Sequence, residues 1–131
     1  MLRRQISALA LLALACLADV HAQTAQTYPS KPIRFIVPYA PGGSTSQVAR
    51  LVAAKLTESW GQQVLVDNRG GANTVIGTDA LAKSAPDGYT IALHTSTLAT
   101  LQHLLPTLPF DPIKDFAPVT TLVTTQLVLV L

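Results

Sequence analysis

The fold is decided by residues 33–71, which read IRFIVPYAPGGSTSQVARLVAAKLTESWGQQVLVDNRGG. The apolar run 33–37 predicts a strand, and a glycine turn follows it. Residues 44–60 carry apolar side chains at helical spacing and predict a helix. A second strand is predicted at 64–67 and a second glycine turn at 68–71. Strand, helix and strand in this order indicate a parallel βαβ unit, so we expect an α/β fold.

The ends and the buried face of the first helix can also be predicted. Ser44 is expected to begin it, because Gln47 three residues later completes a capping-box pattern. Gly61 is expected to end it. The helix face and the first strand are predicted to supply these core side chains: Phe35, Val48, Leu51, Val52, Leu56 and Trp60.

The pattern of strand and helix continues along the chain. A second helix is predicted from 73 or 74 to 84, a strand at 89–94 and a third helix over about 95–105. Further strands are predicted at 116–123 and 127–131. A strand that reaches the last residue indicates a domain cut short, the alternative being an edge strand that closes a small sheet.

The amino terminus has the three parts of a secretory signal. Two arginines precede the apolar run 6–18, and small residues end at Ala22. We therefore predict a signal peptide at 1–22, cleaved after Ala22 for export to the periplasm, and a mature lobe at 23–131. A retained membrane anchor and a lipoprotein anchored through Cys16 are the alternatives.

Composition excludes several classes of protein. Without residues 1–22 the chain has seven Lys and Arg against six Asp and Glu, which is too nearly balanced to indicate a nucleic-acid partner. No cysteine follows Cys16, so no disulfide framework is expected. The histidines and acidic residues lack metal-site spacing, and the Ser44 turn is not a G-x-S-x-G elbow. We expect no enzyme activity, catalytic residue, metal or cofactor.

Three turns are predicted at the carboxyl ends of successive parallel strands, at 38–46, 68–74 and 95–97. That edge of an open parallel sheet is where ligands bind. Helix N-termini there expose unpaired N–H groups, and glycines let a ligand approach the backbone. The turns therefore predict a cradle for a small organic anion such as a carboxylate.

Two other side chains near this edge have a structural and a functional interpretation. His94 could contact a ligand, although a histidine at a strand end is more often a structural hydrogen-bonding group. Arg69 could bind a carboxylate bidentately, or it could brace the turn through Asp67 or Asp87. His103 is predicted to lie on the surface.

Several motifs, taken together and in order, resemble a known family. They are YPSKPIR at 28–34, VPYAPGGST at 37–45, DNR at 67–69, IGTD at 76–79, APDGYT at 85–90 and LPFDPIKDFAPV at 108–119. This set is similar to the Bug-type solute receptors, which are the extracytoplasmic binding proteins of tripartite tricarboxylate transporters. The match covers nearly all of residues 28–131.

The resemblance implies a periplasmic Venus-flytrap protein (type II) of two α/β lobes, of which this chain would supply most of the first. It implies a monomer that captures a small carboxylate and passes it to membrane transporter subunits. A truncated remnant that no longer binds is the alternative. An acidic residue is common in the family where Ser46 stands, so ligand specificity stays open. The predicted ligand-binding residues are Pro41, Gly42, Gly43, Ser44, Thr45, Ser46, Gly71, Ala72, Asn73 and Ser96.

Overall fold

A computed structural model describes residues 27–125 and confirms the parallel α/β fold. Three strands form one parallel sheet in the order β2-β1-β3: β1 (Ile33–Val37), β2 (Val64–Asn68) and β3 (Thr90–Ala92). Three helices connect or follow them: α1 (Ser44–Trp60), α2 (Val75–Ala82) and α3 (Thr97–Leu104). A single turn of helix, Ala72–Thr74, precedes α2.

The central strand β1 carries the core on both of its faces. Ile33, Phe35 and Val37 lie on one face and pack with the small residues Ala49 and Ala53 of α1, and Ile36 on the other face is fully buried. The side chain of a strand residue points to the opposite face from that of its neighbour. Burying a side chain of this size contributes about 1.5–3 kcal/mol, so β1 anchors the lobe.

The face by which α1 meets the sheet matches the predicted one only in part. The predicted core residues Val52 and Leu56 are partly buried and pack against the core. The helix buries Ser46, Ala49 and Ala53, which are small and allow a close approach to the sheet. Leu51, predicted to be in the core, is 71% exposed. Trp60 is also exposed and meets the ring of Tyr28 edge-on, with 6.4 Å between centroids.

The ends of α1 were predicted with mixed success. Ser44 is the first helical residue and Gly43 is the N-cap, so the predicted capping box is wrong. The Gln47 side chain donates instead to the Gly42 carbonyl at 3.4 Å. Gly61 ends the helix as predicted, because its φ of 66° is left-handed and its N–H bonds Thr57.

The later elements are shorter than predicted. The second helix and the third strand lose residues at both ends, and α3 begins two residues later than expected. The predicted strand at 116–123 is wrong, since residues 116–125 have no regular structure. Pro118 cannot donate to a ladder, and no strand within residues 27–125 pairs with this segment. The signal peptide at 1–22 and the strand at 127–131 lie outside the described residues.

Candidate ligand-binding cleft

The three parallel strands end at one edge of the sheet, where turns 38–43, 69–74 and 93–96 lie. The first two turns border an open cleft of about 470 Å³. Its lining residues are Pro38, Tyr39, Ala40, Pro41, Gly70, Gly71, Asn73 and Thr74. The cleft therefore lies at the sheet edge where open parallel sheets bind ligands.

The first turn exposes backbone groups. Gly42 has a φ of 92°, and no atom of residues 27–125 outside its chain neighbours lies within 4 Å of the position its Cβ would occupy. Gly43 caps α1 without any side-chain hydrogen bond to the helix. Because the first N–H groups of a helix have no intrahelical acceptor and carry partial positive charge, this helix start favours an anion.

The second turn has an unusual backbone. Gly71 has φ 125° and ψ 157°, and the next three residues are all left-handed, with φ of 45° at Ala72, 51° at Asn73 and 76° at Thr74. A left-handed non-glycine residue costs about 1–2 kcal/mol. Such strain persists only where the surroundings impose it, and it clusters at ligand clamps.

Close packing against α2 holds the start of this turn. A Cβ on Gly77 would lie 2.6 Å from the Arg69 carbonyl oxygen and 2.7 Å from Pro38 Cβ. Gly77 therefore lets α2 touch the first and second turns at once. The Oγ1 atom of Thr74 is buried and has no hydrogen-bond partner within residues 27–125, which is rare for a buried polar atom.

Side chains from β2 and α1 brace the first turn from below. Asn68 Nδ2 donates to the Tyr39 carbonyl at 3.1 Å. Its Oδ1 accepts from Ser46 Oγ at 3.2 Å and from Arg50 Nη2 at 3.3 Å. Because Ser46 is only 1% exposed, its hydroxyl serves this brace rather than facing the cleft.

Tyr39 links the first turn to the third. Its hydroxyl lies 2.6 Å from Thr95 Oγ1 and accepts from the Thr95 N–H at 3.3 Å. The His94 ring stands edge-on to Tyr39 and places Nε2 3.1 Å from Thr78 Oγ1 on α2. The Thr78 hydroxyl in turn donates to the Thr74 carbonyl at 2.8 Å. One chain of polar contacts thus joins all three turns.

The structure brings together only some of the predicted ligand-binding residues. Pro41, Gly71 and Asn73 line the cleft. The predicted residues that lie outside the lining set are Gly42, Gly43, Ser44, Thr45, Ser46, Ala72 and Ser96. Ser96 is exposed at the start of α3. Ligand contact by these ten residues stays a prediction.

Arg69 braces the second turn, as one of its two interpretations proposed. Its Nε bonds Asp67 Oδ2 at 2.9 Å, and Arg34 Nη2 bonds the same oxygen at 2.7 Å. Partial burial works to raise the pKa of Asp67, but the hydrogen bonds and charges of Arg34 and Arg69 outweigh it and hold the pKa below its ordinary value. Asp87 pairs instead with Lys31.

Residues 27–125 contain neither a metal cluster nor a membrane-spanning helix. No group of three or more His, Cys, Asp or Glu there could hold a metal ion. In the same range no helix has the length and apolarity that a membrane crossing requires.

Comparison with known proteins identifies the family. A profile of the tripartite tricarboxylate transporter family receptor, TctC, matches residues 48–131. The chain is 50% identical over 109 residues to the protein BugT of Bordetella pertussis, covering 82% of this chain and 33% of BugT. This chain belongs to the tripartite tricarboxylate transporter receptor family. The predicted Bug-type resemblance is therefore confirmed, and so is the expectation of a receptor rather than an enzyme.

Solved structures of family members show the same fold. One, described as a periplasmic transporter, is 53% identical with a TM-score of 0.68, over 71% of this chain and 32% of its own. The periplasmic binding protein BugD is 38% identical with a TM-score of 0.66, over 70% of this chain and 30% of its own. The receptor chain spans about a third of the length of these relatives.

Two other family structures contain carboxylates. Rpa4515 of R. palustris with adipate is 36% identical, with a TM-score of 0.61 over 65% of this chain and 29% of its own. MatC of Rhodopseudomonas palustris with bound malate is 34% identical, with a TM-score of 0.60 over 70% of this chain and 31% of its own. The structures of these two relatives thus each contain a small dicarboxylate.

Sequence reasoning missed the residues that hold the turns from behind. Tyr39, Asn68 and Thr78 carry the hydrogen bonds that join the turns, yet each resembles an ordinary strand-end or helix residue. Asn68 directly follows Asp67 in the DNR motif, which was the one signal that pointed to it. Tyr39 lies in the VPYAPGGST motif and Thr78 in the IGTD motif, but neither motif indicated the hydrogen bonds that these side chains make.

Proposed function

We propose that this receptor chain captures a small carboxylate in the periplasm for uptake by membrane transporter subunits. Residues 1–22 would direct export and be removed after Ala22, and residues 23–131 would form most of the first of two lobes. The complete receptor would act as a monomer, without a cofactor or a nucleic-acid partner.

The observation that carries the proposal is the cleft between the first two turns. Five of its eight lining residues are glycine, alanine or proline, and the start of α1, which no side chain caps among the described residues, lies beside it. A carboxylate can accept several N–H bonds in such a place without a cation opposite it. The carboxylates named for the adipate and malate complexes of related receptors support the same ligand class.

Titration of the complete gene product with ligands tests the proposal. Malate and adipate are added to the purified protein, with glucose as an uncharged comparison, and binding is followed by calorimetry and by thermal shift. A ligand that binds only the native state raises the unfolding temperature. Binding of either acid without binding of glucose is expected; no heat and no shift with any acid would contradict the proposal.

A variant localises the binding. Asn73→Gly keeps the left-handed backbone that Asn73 adopts and removes the amide side chain that lines the cleft. We expect the affinity for the bound acid to fall about tenfold while stability is kept, the scale of one to two lost hydrogen bonds. Gln102→Ala, which removes an exposed amide from α3, is the matched control and should bind like the unchanged protein.

A further inference from the structure

The contacts of the His94 ring reach all three turns at the cleft. Nδ1 lies 3.0 Å from the Thr95 carbonyl oxygen and 3.4 Å from the Tyr39 hydroxyl. Nε2 lies 3.1 Å from Thr78 Oγ1, whose hydroxyl donates to the Thr74 carbonyl. Tyr39 and Thr74 both line the cleft. His94 therefore contacts one residue of the cleft lining directly, Tyr39, and another, Thr74, through Thr78.

The number of hydrogens available for these contacts determines which protonation state of the His94 ring satisfies them. A carbonyl oxygen only accepts, so the Thr95 contact needs a hydrogen on Nδ1. The Thr78 hydroxyl has one hydrogen, and while the Thr74 carbonyl accepts it, Thr78 Oγ1 can only accept from Nε2. The Tyr39 hydroxyl cannot donate to the ring. Thr95 Oγ1 donates its own hydrogen to Thr97 Oγ1, so it accepts the hydrogen of the Tyr39 hydroxyl. All contacts are satisfied only when both ring nitrogens carry hydrogen.

A neutral ring leaves the network one hydrogen short. With hydrogen on Nδ1 alone, Nε2 becomes an acceptor and competes with the Thr74 carbonyl for the Thr78 hydroxyl. Thr74 belongs to the strained left-handed run, so loss of this bond loosens the part of the second turn that lines the cleft. The charge on the ring thus decides how firmly the second turn is held.

We propose that His94 is a positioning residue of the ligand site, and that its protonated ring holds the three turns in the shape that binds a carboxylate. This inference rests on the proposed function. By reciprocity of linked binding, a bound anion favours the charged ring, and the charged ring favours the anion. Affinity for a carboxylate therefore rises as pH falls.

The surroundings of the ring determine the pH at which His94 takes up its second ring proton. Burial lowers the pKa of His94 below its ordinary value of 6.5, while the hydrogen bond to the Thr95 carbonyl raises it. The groups that contact the ring are a phenol, a threonine hydroxyl and a carbonyl. The carboxylate adjacent to Thr78, that of Asp79, is paired with Lys83 at 2.7 Å. In the empty site the neutral ring is therefore the main form at neutral pH.

The first test needs no ligand. The pH of the labelled protein is lowered from about 8 to 5 while NMR follows the His94 ring and the backbone amides of Thr74, Thr78 and Thr95. We expect the three amides to titrate with the same midpoint as the ring. If they do not follow the ring, the proposed network is wrong, whether or not the protein binds an acid.

The second test measures malate affinity against pH in the complete gene product and in His94→Gln. Over the pH range in which His94 protonates, the affinity of the unchanged protein is expected to rise about two- to tenfold more than that of the variant. This factor corresponds to one net hydrogen bond. Both proteins meet the same ligand, so the titration of malate itself cancels. His103→Gln removes the exposed histidine of α3 and should keep the full pH dependence.

The outcomes separate the two proposals. Absence of malate binding at every pH contradicts malate as the ligand and leaves the ligand-free titration as the test of His94. Binding with the same pH dependence in His94→Gln as in the unchanged protein overturns the role of His94 and leaves the proposed function standing.

Discussion

The first and second glycine turns border the same cleft but are held in different ways. The first is held by a side-chain hydrogen bond from Asn68, which Ser46 in turn supports, and among the described residues nothing crowds its exposed Gly42. The second is held by packing, because Gly77 of α2 lies between the Arg69 carbonyl at its start and Pro38 of the first turn, without room for a methyl group. Similar glycine pairs in sequence thus serve an open turn and a compressed one.

The difference teaches what each glycine does. Gly71 is required by its own backbone conformation, whereas Gly77 sits in an ordinary helix and is required by its neighbours. A left-handed backbone penalises any side chain wherever it stands. A close contact penalises a side chain only because of what lies opposite, so structure alone identifies it.

Gly77→Ala is expected to have the largest effect on stability. The new methyl group would meet the Arg69 carbonyl and Pro38 at 2.6–2.8 Å, and these are mostly backbone atoms that cannot move aside cheaply. Overpacking of this kind costs about 1–3 kcal/mol or more, against about 1 kcal/mol gained in helix propensity. We expect a net loss of about 1–2 kcal/mol, measured by urea unfolding.

Gly43→Ala is the matched control in the open turn. Gly43 has a φ of −72°, and its nearest contact for an added Cβ is the Ala40 carbonyl oxygen at 3.9 Å. Its free energy of unfolding should change by less than about 0.5 kcal/mol. Equal losses in the two variants would show that the turns are held alike.

The sequence predicted the sheet and the edge at which the site lies. The alternation of strands and helices is a periodic signal, and the three turns had to meet because parallel strands end together. The end of α1 was predicted correctly because Gly61 needs only its own left-handed conformation. Such features depend on a few neighbouring residues.

The predictions that were wrong concern features that depend on residues distant in the chain. Leu51 fits an apolar helical face, but α1 packs on the sheet through Ala49 and Ala53, whose small side chains allow a close approach. The segment 116–123 has the composition of a strand and has no partner strand within residues 27–125. The hydrogen bonds of Asn68 and Thr78 join turns that the sequence separates by many residues.

Two alanine-to-glycine substitutions test whether the backbone of the second turn is strained. Ala72→Gly should stabilise the protein by about 0.5–1 kcal/mol, because Ala72 has a φ of 45° that glycine adopts without the cost of a Cβ. Ala54→Gly, in the exposed middle of α1, should destabilise it by about the same amount through lost helix propensity. Urea unfolding of both variants measures the difference, and a loss of stability in both would show that Ala72 is not strained.

The smallest expected effect concerns the brace between Asp67 and Arg69 at the start of the second turn. Folding lowers the pKa of Asp67, so its charged form contributes stability above the unfolded value of 3.8, and that contribution is lost as pH falls through the folded value. Asp67→Asn should cost about 0.5 kcal/mol at neutral pH, because the pair is partly exposed and screened. The deficit should shrink as the pH falls below 3.8, because Asp67 in the unchanged protein then loses its charged form. Glu58→Gln, in an exposed pair with Lys55, is the control and should change little at either pH. Because the brace is only an addition to packing that already holds the second turn, a deficit larger than that of Gly77→Ala would reverse the distinction between the two turns.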